Sequence, residues 1–302
     1  MKKISLFTAI AAIFTISCSH KISGTANTVN VAKETGVASG LNLVKGQKYL
    51  VENKITTQNT QQVQGQTIES KADFLSSYHI EVKDVKDNNY NLTNTIKTVK
   101  VNASAMGQDI SFDSQKKEDL DGENGSELKK YIDQPKDIII DRSGKVISSK
   151  KPDTSANSAA QANMITMIMK QMVGDPEEGG YGANMAFEPL PEKAAIGTTW
   201  ADSSRDDGVS KVTNYTLKEI NGNNATIVLD GTMTTDVKSE MQGMQISTKT
   251  KGKFTGEDIV DMKTGVIQQR NSTMDASGTI SVMGQDIPSS TRVTSVVTVK
   301  GI

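Results

Sequence analysis

Histidine and cysteine, the residues that most often build metal sites and nucleophilic catalytic sites, are scarce in this chain. Its 302 residues include one cysteine, Cys18, and two histidines, His20 and His79. A structural zinc site made of His and Cys needs four such ligands and the chain has three, so one is excluded in practice. A Ser-His-Asp hydrolase would have to use His79 as its base. His79 stands between Tyr78 and Ile80, and it faces solvent if those two side chains face the core.

One acidic stretch has the beginning of a calcium-binding loop. Asp119, Asp121 and Glu123 alternate as the first ligands of such a loop do, but Asn124 occupies the glycine position and Lys130 the position of the closing glutamate. A solvated acidic loop is the preferred interpretation, and calcium is the alternative. No phosphate-binding glycine loop, nucleophile elbow or dinucleotide fingerprint occurs in the sequence. The sequence therefore predicts a protein without catalysis and without a cofactor.

The N-terminus carries the features of an export signal. Two lysines precede the apolar residues 4–16, a stretch too short to cross a bilayer comfortably. The sequence Thr15-Ile16-Ser17-Cys18 resembles the lipobox of bacterial lipoproteins, with Thr15 where an aliphatic residue is usual. The resemblance implies cleavage before Cys18 and acylation of Cys18. A plain signal peptide or a transmembrane anchor is the alternative.

These features predict a signal peptide over residues 1–17 and a flexible tether over residues 18–45. The stretch 19–39 is rich in Ser, Thr, Asn, Ala and Gly and has little periodicity. We expect the protein in the cell envelope, attached by its lipid to a bacterial membrane and facing the periplasm or the cell surface. With 34 basic and 35 acidic residues, the charge balance offers no electrostatic case for binding nucleic acid.

A repeated glycine motif organises the rest of the chain. Residues 106–110, Met-Gly-Gln-Asp-Ile, return unchanged at 283–287, and looser versions occur at 64–68 and 241–246. Each copy lies between runs of alternating polar and apolar residues, and glycine readily adopts the positive φ of a tight strand reversal. The pattern predicts four long antiparallel hairpins in a mainly β (α+β) fold. Arms of about 12 residues or more favour a curved open sheet or half-barrel.

The hairpins suggest an internal duplication. We predict one β-rich domain over residues 46–302, with related halves 46–150 and 194–302 joined by a helical segment 151–193. The alternative is that common hairpin chemistry has converged. The supporting pairs are the turns 87–89 and 221–224, the Asp-to-Gly turns 141–144 and 261–265, and a match of Tyr78 with Tyr215.

A helix is predicted over residues 155–173, which contain neither proline nor glycine. It would cover the concave apolar face, either as a core lid or as a ligand-contacting surface, since methionine adapts to varied shapes. A smaller helix is predicted from Ser126 to Ile132. The candidate ligand-binding side chains of the covering helix are Met164, Ile165, Met167, Ile168, Met169 and Met172.

A second resemblance concerns the entry to the second half. Leu190-Pro191-Glu192 forms a proline-rich turn before Ile196-Gly197-Thr198-Thr199-Trp200, and Gly46-Gln47-Lys48-Tyr49 is its counterpart in the first half. This arrangement resembles a family of uncharacterised bacterial envelope lipoproteins with a domain of unknown function. The resemblance implies an envelope location and no established activity. At the level of architecture the plan is also similar to half-barrel carriers of lipoproteins and lipids.

Two functional hypotheses result. In the first, a non-catalytic, lipid-anchored envelope protein binds a hydrophobic ligand or lipidated partner in the half-barrel cavity. In the second, a structural or interaction lipoprotein has a filled core and contacts partners through its hairpin tips, where Met106, Met241, Met244 and Met283 lie.

Overall fold

A computed structural model describes residues 40–105, 107–122, 125–126, 128–149, 182–206, 208–241 and 244–302. Several predictions fall outside these ranges. They are the signal peptide, Cys18, most of the tether, and the covering helix with its six Met and Ile side chains. They stay predictions.

The described chain is almost entirely β-strand, and no helix in it is long and apolar enough to cross a membrane. Two short helices, α1 (Lys117–Asp121) and α2 (Ala183–Ala186), and one 3-10 turn (Leu128–Lys130) accompany the strands. The strands are β1 (Lys48–Val63), β2 (Gln66–Lys86), β3 (Asn89–Ala105), β4 (Gln108–Asp113), β5 (Pro135–Asp141), β6 (Val146–Ser149), β7 (Thr199–Asp206), β8 (Val209–Asn221), β9 (Asn224–Met241), β10 (Met244–Asp261), β11 (Ile267–Val282) and β12 (Gln285–Gly301).

All twelve strands form one antiparallel sheet. The spatial order is β6-β5-β3-β2-β1-β12-β11-β10-β9-β8-β7, and β4 also pairs with β3. The first and last strands are therefore neighbours at the centre, where Tyr49 lies opposite Gly301 and Gln61 opposite Ser289. No pairing joins the two outer strands among the described residues, so the sheet is not closed. The prediction of a mainly β fold built from long antiparallel hairpins is confirmed.

The hairpin tips lie together at one end of the sheet. Gln64 and Gly65 join β1 to β2, and Met283 and Gly284 join β11 to β12, each with positive φ at both residues. This is the tight turn that the predicted motif requires. The β3–β4, β7–β8 and β9–β10 connections are at the same end, because strand direction alternates across the sheet. We call this the tip end and the opposite end the turn end.

Alternation along each strand separates a buried concave face from a wetter convex face. On β1, Val51 and Ile55 are buried, whereas Glu52 and Lys54 between them are exposed. His79 is exposed on the convex face, because Tyr78 and Ile80 on either side of it are both fully buried. The predicted orientation of His79 is confirmed.

The two halves share local geometry at the turn end. The Gly46 N–H donates to Val82 O at 2.8 Å and the Val82 N–H to Gln47 O at 2.9 Å. The second half repeats both bonds, from Gly197 N–H to Leu217 O and from Leu217 N–H to Thr198 O, at 2.8 and 2.9 Å.

A bulge follows in each half, after Val82 and after Leu217 respectively. This register makes Ile80, rather than Tyr78, the counterpart of Tyr215. Trp200 at the second entry stacks on Tyr215, with ring centroids 5.2 Å apart. The shared detail is what a duplication would produce, and duplication itself stays a prediction.

Two consecutive residues before β1 show how strongly the sheet curves. The Leu41 N–H donates to Arg142 O in the β5–β6 turn at 2.7 Å, and the Asn42 N–H donates to Thr264 O in the β10–β11 turn at 3.0 Å. Adjacent backbone nitrogens lie at most about 3.8 Å apart, so these two turns approach within about 10 Å. Five strand spacings separate β5 from β11, which is about 24 Å on a flat sheet. The sheet is therefore rolled into a half-barrel at the turn end.

Apolar side chains fill the rolled end. Leu41, Leu43 and Leu190 are each at most 3% exposed, and Tyr90 donates a hydrogen bond from its hydroxyl to Leu41 O. Gly265 has φ +76°, and a Cβ there would lie 2.7 Å from Leu41 Cδ2. A larger residue at 265 would therefore both strain the turn and displace the leucine.

The smaller predicted helix is wrong in its extent. Between Ser126 and Ile132 the structure forms a single 3-10 turn, Leu128–Lys130. Leu128 is fully buried, and Ile132 pairs with Ile96 of β3 in an isolated bridge. The next backbone N–H, that of Asp133, donates to Ile96 O of β3 at 2.9 Å, so the chain joins the sheet at this point instead of continuing as a helix. α1, which the sequence pattern did not indicate, lies just before it.

Replacing Leu41 by alanine tests this junction. We expect Leu41→Ala to lower the free energy of unfolding by about 2–5 kcal/mol, because it leaves a cavity between the two turns. Val44→Ala is the matched control, since Val44 is 59% exposed and its loss should change stability by less than about 0.5 kcal/mol. Urea denaturation of both variants checks the difference, and equal effects would contradict the role given to Leu41.

Candidate functional site on the concave face

The concave face changes character along its length. At the turn end its residues are apolar and packed, including Val51, Tyr78, Ile80, Val260 and Ile267. Towards the tip end, small and polar residues replace them on the same face. Among them are Ser70, Ala72, Ala103, Ala105, Thr235, Thr248, Ala276 and Ser289, all at most 9% exposed.

A buried ion cluster lies at the boundary with the packed end. Arg270 of β11 lies opposite Asp258 of β10 in the sheet. Its Nε donates to Asp258 Oδ1 at 2.8 Å, and its Nη2 donates to Asp258 Oδ2. Nη2 also donates to Glu188 Oε2 at 2.8 Å. The Asp258 side chain is fully buried, and the Arg270 and Glu188 side chains are only 16% and 17% exposed. Such a fork fixes geometry, and breaking it would leave a charge buried.

Two carboxylates share one guanidinium in this cluster, which sets their electrostatics. The pKa of Glu188 is raised to about 7, mainly by burial and also by the neighbouring Asp258 carboxylate, while Arg270 acts to lower it. Burial also raises the pKa of Tyr215, with Glu188 adding to the effect. The guanidinium donors are directed at carboxylates within the protein, so the cluster connects the segment after α2 to the sheet.

A line of polar side chains follows β1 towards the tip end. Asn53, Thr57, Asn59 and Gln61 all face inward and are each at most 3% exposed. We call these four residues the β1 polar stripe. Asn59 Oδ1 accepts from Ser289 Oγ and Thr291 Oγ1, each at 2.9 Å.

The hydrogen-bonding capacity of the stripe is largely unused. Asn53 Nδ2, Thr57 Oγ1, Asn59 Nδ2 and Gln61 Nε2 have no hydrogen-bond partner among the residues that the structure describes. Thr235 Oγ1 on β9 is in the same condition. A buried polar group without a partner costs about 1–3 kcal/mol, so four in one strand call for an explanation.

The neighbours of the stripe are small or uncharged. In the sheet register, Thr57 lies between Ala72 of β2 and Val293 of β12, and Asn59 between Ser70 and Thr291. Gln61 lies between Ile68 and Ser289. The residues that pair with the stripe are therefore all uncharged.

An open cleft of about 490 Å³ lies at the turn end, outside the stripe. Tyr49 and Asp261 border it, and burial together with the Asp261 carboxylate raises the pKa of Tyr49 to about 12. The Tyr49 hydroxyl donates to Gln47 Oε1 at 2.9 Å. The other residues that line the cleft are Thr264, Val266, Gln268, Val299, Lys300 and Gly301. Their chemistry is mixed, and no group of them converges on one point.

The structure tests few of the predicted site residues. Cys18 and the six Met and Ile side chains of the predicted helix lie outside the described residues. Met283 at its tip is 77% exposed. Near the acidic loop, Asp119 Oδ2 accepts from Asp113 N–H at 2.8 Å and Asp121 pairs with Lys129. Within the described ranges, no three His, Cys, Asp or Glu side chains are grouped to hold a metal ion.

Sequence analysis did not identify the ion cluster or the stripe. Asp258 and Arg270 meet across the β10–β11 hairpin, and Glu188 reaches them from a segment outside the strands, far away along the chain. The stripe did leave a signal, because Asn53, Thr57, Asn59 and Gln61 occupy the alternate positions of β1 that Val51 and Ile55 mark as inward-facing.

The fold and the concave face define a one-sheet, half-barrel protein. Over residues 87–267, more than half of its length, the chain matches a family of unknown function, DUF6263, and it belongs to that family. No curated protein sequence matches it.

Solved structures of similar shape include outer-membrane proteins, at low similarity. The COG4313 outer membrane channel from Pseudomonas putida F1 shares 7% identity, with 88% of this chain and 100% of that chain covered and a TM-score of 0.30. OccK5 (OpdH) from Pseudomonas aeruginosa shares 6% identity, with 85% of this chain and 98% of that chain covered and a TM-score of 0.25. A mutant porin of Rh. blastica shares 10% identity, with 83% of this chain and 100% of that chain covered and a TM-score of 0.21. Similarity this low transfers no function to the chain.

The raised pKa of Glu188 predicts how stability depends on pH. Between the ordinary value of 4.5 and about 7, the folded protein keeps a proton that the unfolded chain has released. Stability contributed by Glu188 is therefore fully present below pH 4.5 and is lost as the pH rises through 7. Relative to Glu188→Gln, the free energy of unfolding of the wild type should fall by about 3 kcal/mol across this window.

Urea denaturation of both proteins between pH 4 and pH 8 measures this difference. Glu257→Gln is the matched control, because Glu257 precedes Asp258 on β10 but its side chain is 45% exposed, paired with Lys218. Its stability should run parallel to that of the wild type at all pH values. If the stability of Glu188→Gln also ran parallel to that of the wild type at all pH values, the raised pKa of Glu188 would be contradicted.

Proposed function

We propose that this chain is a non-catalytic, lipid-anchored binding protein of the bacterial cell envelope, which holds a lipid or a lipidated partner on the concave side of its half-barrel. The observation that supports this most directly is the change of the concave face from packed apolar residues to buried, unpaired polar groups along one continuous sheet. An amphipathic ligand matches such a surface, because it has both an apolar and a polar part.

The anchor is inferred from the sequence. Cys18 is the only cysteine, and it stands where a signal peptide would be cleaved. Acylation would attach the protein stably to a membrane, since each buried methylene contributes about 0.8 kcal/mol. Residues 19–39 would then separate the membrane from the described part of the chain, which begins at residue 40.

The apolar part of the ligand is assigned to the methionine-rich segment. Met164, Ile165, Met167, Ile168, Met169 and Met172 form a concentration of flexible apolar side chains suited to varied acyl chains. The nearest described residue after this segment is Gly182, whose Cα is so close to Asn94 and Tyr78 that a Cβ there would lie 2.8 Å from Asn94 Oδ1. The chain thus re-enters the described structure on the concave face.

The absence of catalysis is proposed from the chemistry of the described polar groups. The carboxylates of Asp258 and Glu188 are both engaged by Arg270. His79, which a hydrolase would need as a base, is on the convex face and exposed. The one histidine among the described residues therefore faces away from the concave side on which the ligand is proposed to lie.

Photo-crosslinking from paired positions on β11 tests ligand binding. A photoreactive amino acid at Met274, on the concave face and 7% exposed, should form an adduct with a lipid or lipidated protein in intact cells. The matched control is the next residue, Asp275, which is exposed on the convex face. Mass spectrometry identifies the adducts. Failure to form an adduct at Met274, or equal adducts at both positions, would overturn the proposal.

Replacing Cys18 by serine tests the anchor. Cys18→Ser should move the protein from the membrane fraction to the soluble fraction and abolish the mass increase from acylation. Ser17→Ala is the control, because it keeps a small residue before the cysteine. Continued membrane retention of Cys18→Ser would instead favour a transmembrane anchor.

A structural or interaction protein is the second candidate function, and the exposure of Met283 favours it. Met283 is 77% exposed at a tip beside other tips of the same end, and an exposed methionine offers a soft contact surface. Crosslinks that form from position 283 to one protein, without any from position 274, would select this alternative.

A further inference from the structure

We infer that the β1 polar stripe is a hydrogen-bonding site for an extended, uncharged polypeptide segment of a partner. The inference rests on the proposed function and deepens it, because a lipidated protein presents a polypeptide beside its acyl chains. In this arrangement the stripe recognises the polypeptide, and other concave residues hold the lipid.

The unused hydrogen-bonding groups are the first observation. Asn53 Nδ2, Asn59 Nδ2 and Gln61 Nε2 are amide donors, and Thr57 Oγ1 is a hydroxyl that can donate; all four are buried without a partner among the described residues. Amide nitrogens donate and never accept, so the missing partner must supply acceptors. An acyl chain has none along its length, which excludes it as the occupant of this stripe.

The spacing of the stripe is the second observation. Thr57, Asn59 and Gln61 are successive inward-facing residues of one strand, so their side chains repeat about every 6.7 Å. In an extended polypeptide, the carbonyl groups that point to one side also repeat every two residues, again at about 6.7 Å. An extended segment lying along β1 can therefore offer one acceptor to each member of the stripe.

The neutrality of the surroundings is the third observation. The residues opposite the stripe on β2 and β12 are Ser76, Ala72, Ser70, Ile68, Val297, Val293, Thr291 and Ser289, and none carries a charge. A phosphate or carboxylate ligand would require a cationic partner that the stripe does not have.

The free-energy cost of leaving these buried groups without hydrogen bonds supports the presence of a binding partner. Because these atoms are enclosed, the occupant must displace groups that cover them. The loss of those contacts is offset by the hydrogen bonds that the occupant makes to the unpaired donors.

The test uses variants that keep shape and remove hydrogen-bonding groups. Thr57→Val and Gln61→Met together delete an unpaired hydroxyl and an unpaired amide. The matched control on the convex face of the same strand is Gln58→Met with Thr60→Val. The probes are a neutral ten-residue peptide of Ser, Thr, Gly and Ala with an N-terminal palmitoyl group, the same peptide without it, and palmitate alone. Binding to the full-length protein in detergent is measured by calorimetry.

We expect the double variant to bind the palmitoylated peptide about ten-fold or more weakly, which corresponds to one or two lost hydrogen bonds. Its affinity for palmitate should be unchanged, and its stability without ligand should equal or exceed that of the wild type, because unpaired buried groups are gone. The convex-face control should bind all probes like the wild type.

Other outcomes separate this inference from the function beneath it. Palmitate binding with no preference for the palmitoylated peptide, or equal affinity of the double variant for it, overturns the peptide site and leaves lipid binding intact. Failure of every probe to bind overturns both. A double variant that is less stable than the wild type would show that the stripe is structural, and would also overturn the peptide site.

Discussion

The structure depends on one geometrical constraint, which is that two adjacent backbone amides bind turns from opposite halves of the sheet. Leu41 and Asn42 donate to the β5–β6 and β10–β11 turns, which a flat sheet would hold about 24 Å apart. The central strands must therefore roll towards the concave side. Strand twist favours such curvature, and burial of Leu41 between the turns holds it in place.

The ion cluster reinforces the same closure from the other half. Glu188 donates its backbone N–H to Gly265 O, and its carboxylate accepts from Arg270, so one residue contacts both the β10–β11 turn and β11. Phe187 beside it bridges to Val266 and meets the ring of Tyr49 edge-on at 6.2 Å. The segment after α2 thus joins the strands at the rolled end. The raised pKa of Glu188 makes this junction sensitive to pH near neutrality.

The polar stripe lowers the stability of the unbound protein, and a binding function would explain why it is there. A sheet selected only for stability would place Val and Ile at positions 57, 59 and 61, as it does at 51 and 55. Thr57, Asn59 and Gln61 are buried there instead, with part of their hydrogen-bonding capacity unmet. Groups that cost free energy in the unbound protein are most simply explained by a bound state that satisfies them. The packed turn end, by comparison, resembles an ordinary core.

Local sequence determined much of this architecture. Glycines at the tips and alternating side chains predict the long hairpins, because a tight reversal needs positive φ and a half-buried strand needs period two. The same rule placed His79 outside. Local sequence predicted a helix over residues 126–132, whereas the structure has only one 3-10 turn there. Burial of Leu128 and pairing of Ile132 with Ile96 of β3 override the local propensity. Tertiary structure alone decided that β1 pairs with β12, that Arg270 meets Asp258 and Glu188, and that the polar residues of β1 are enclosed. Those contacts join residues up to about 250 positions apart in the chain, and local patterns do not encode which distant strands pair or how far a sheet curves.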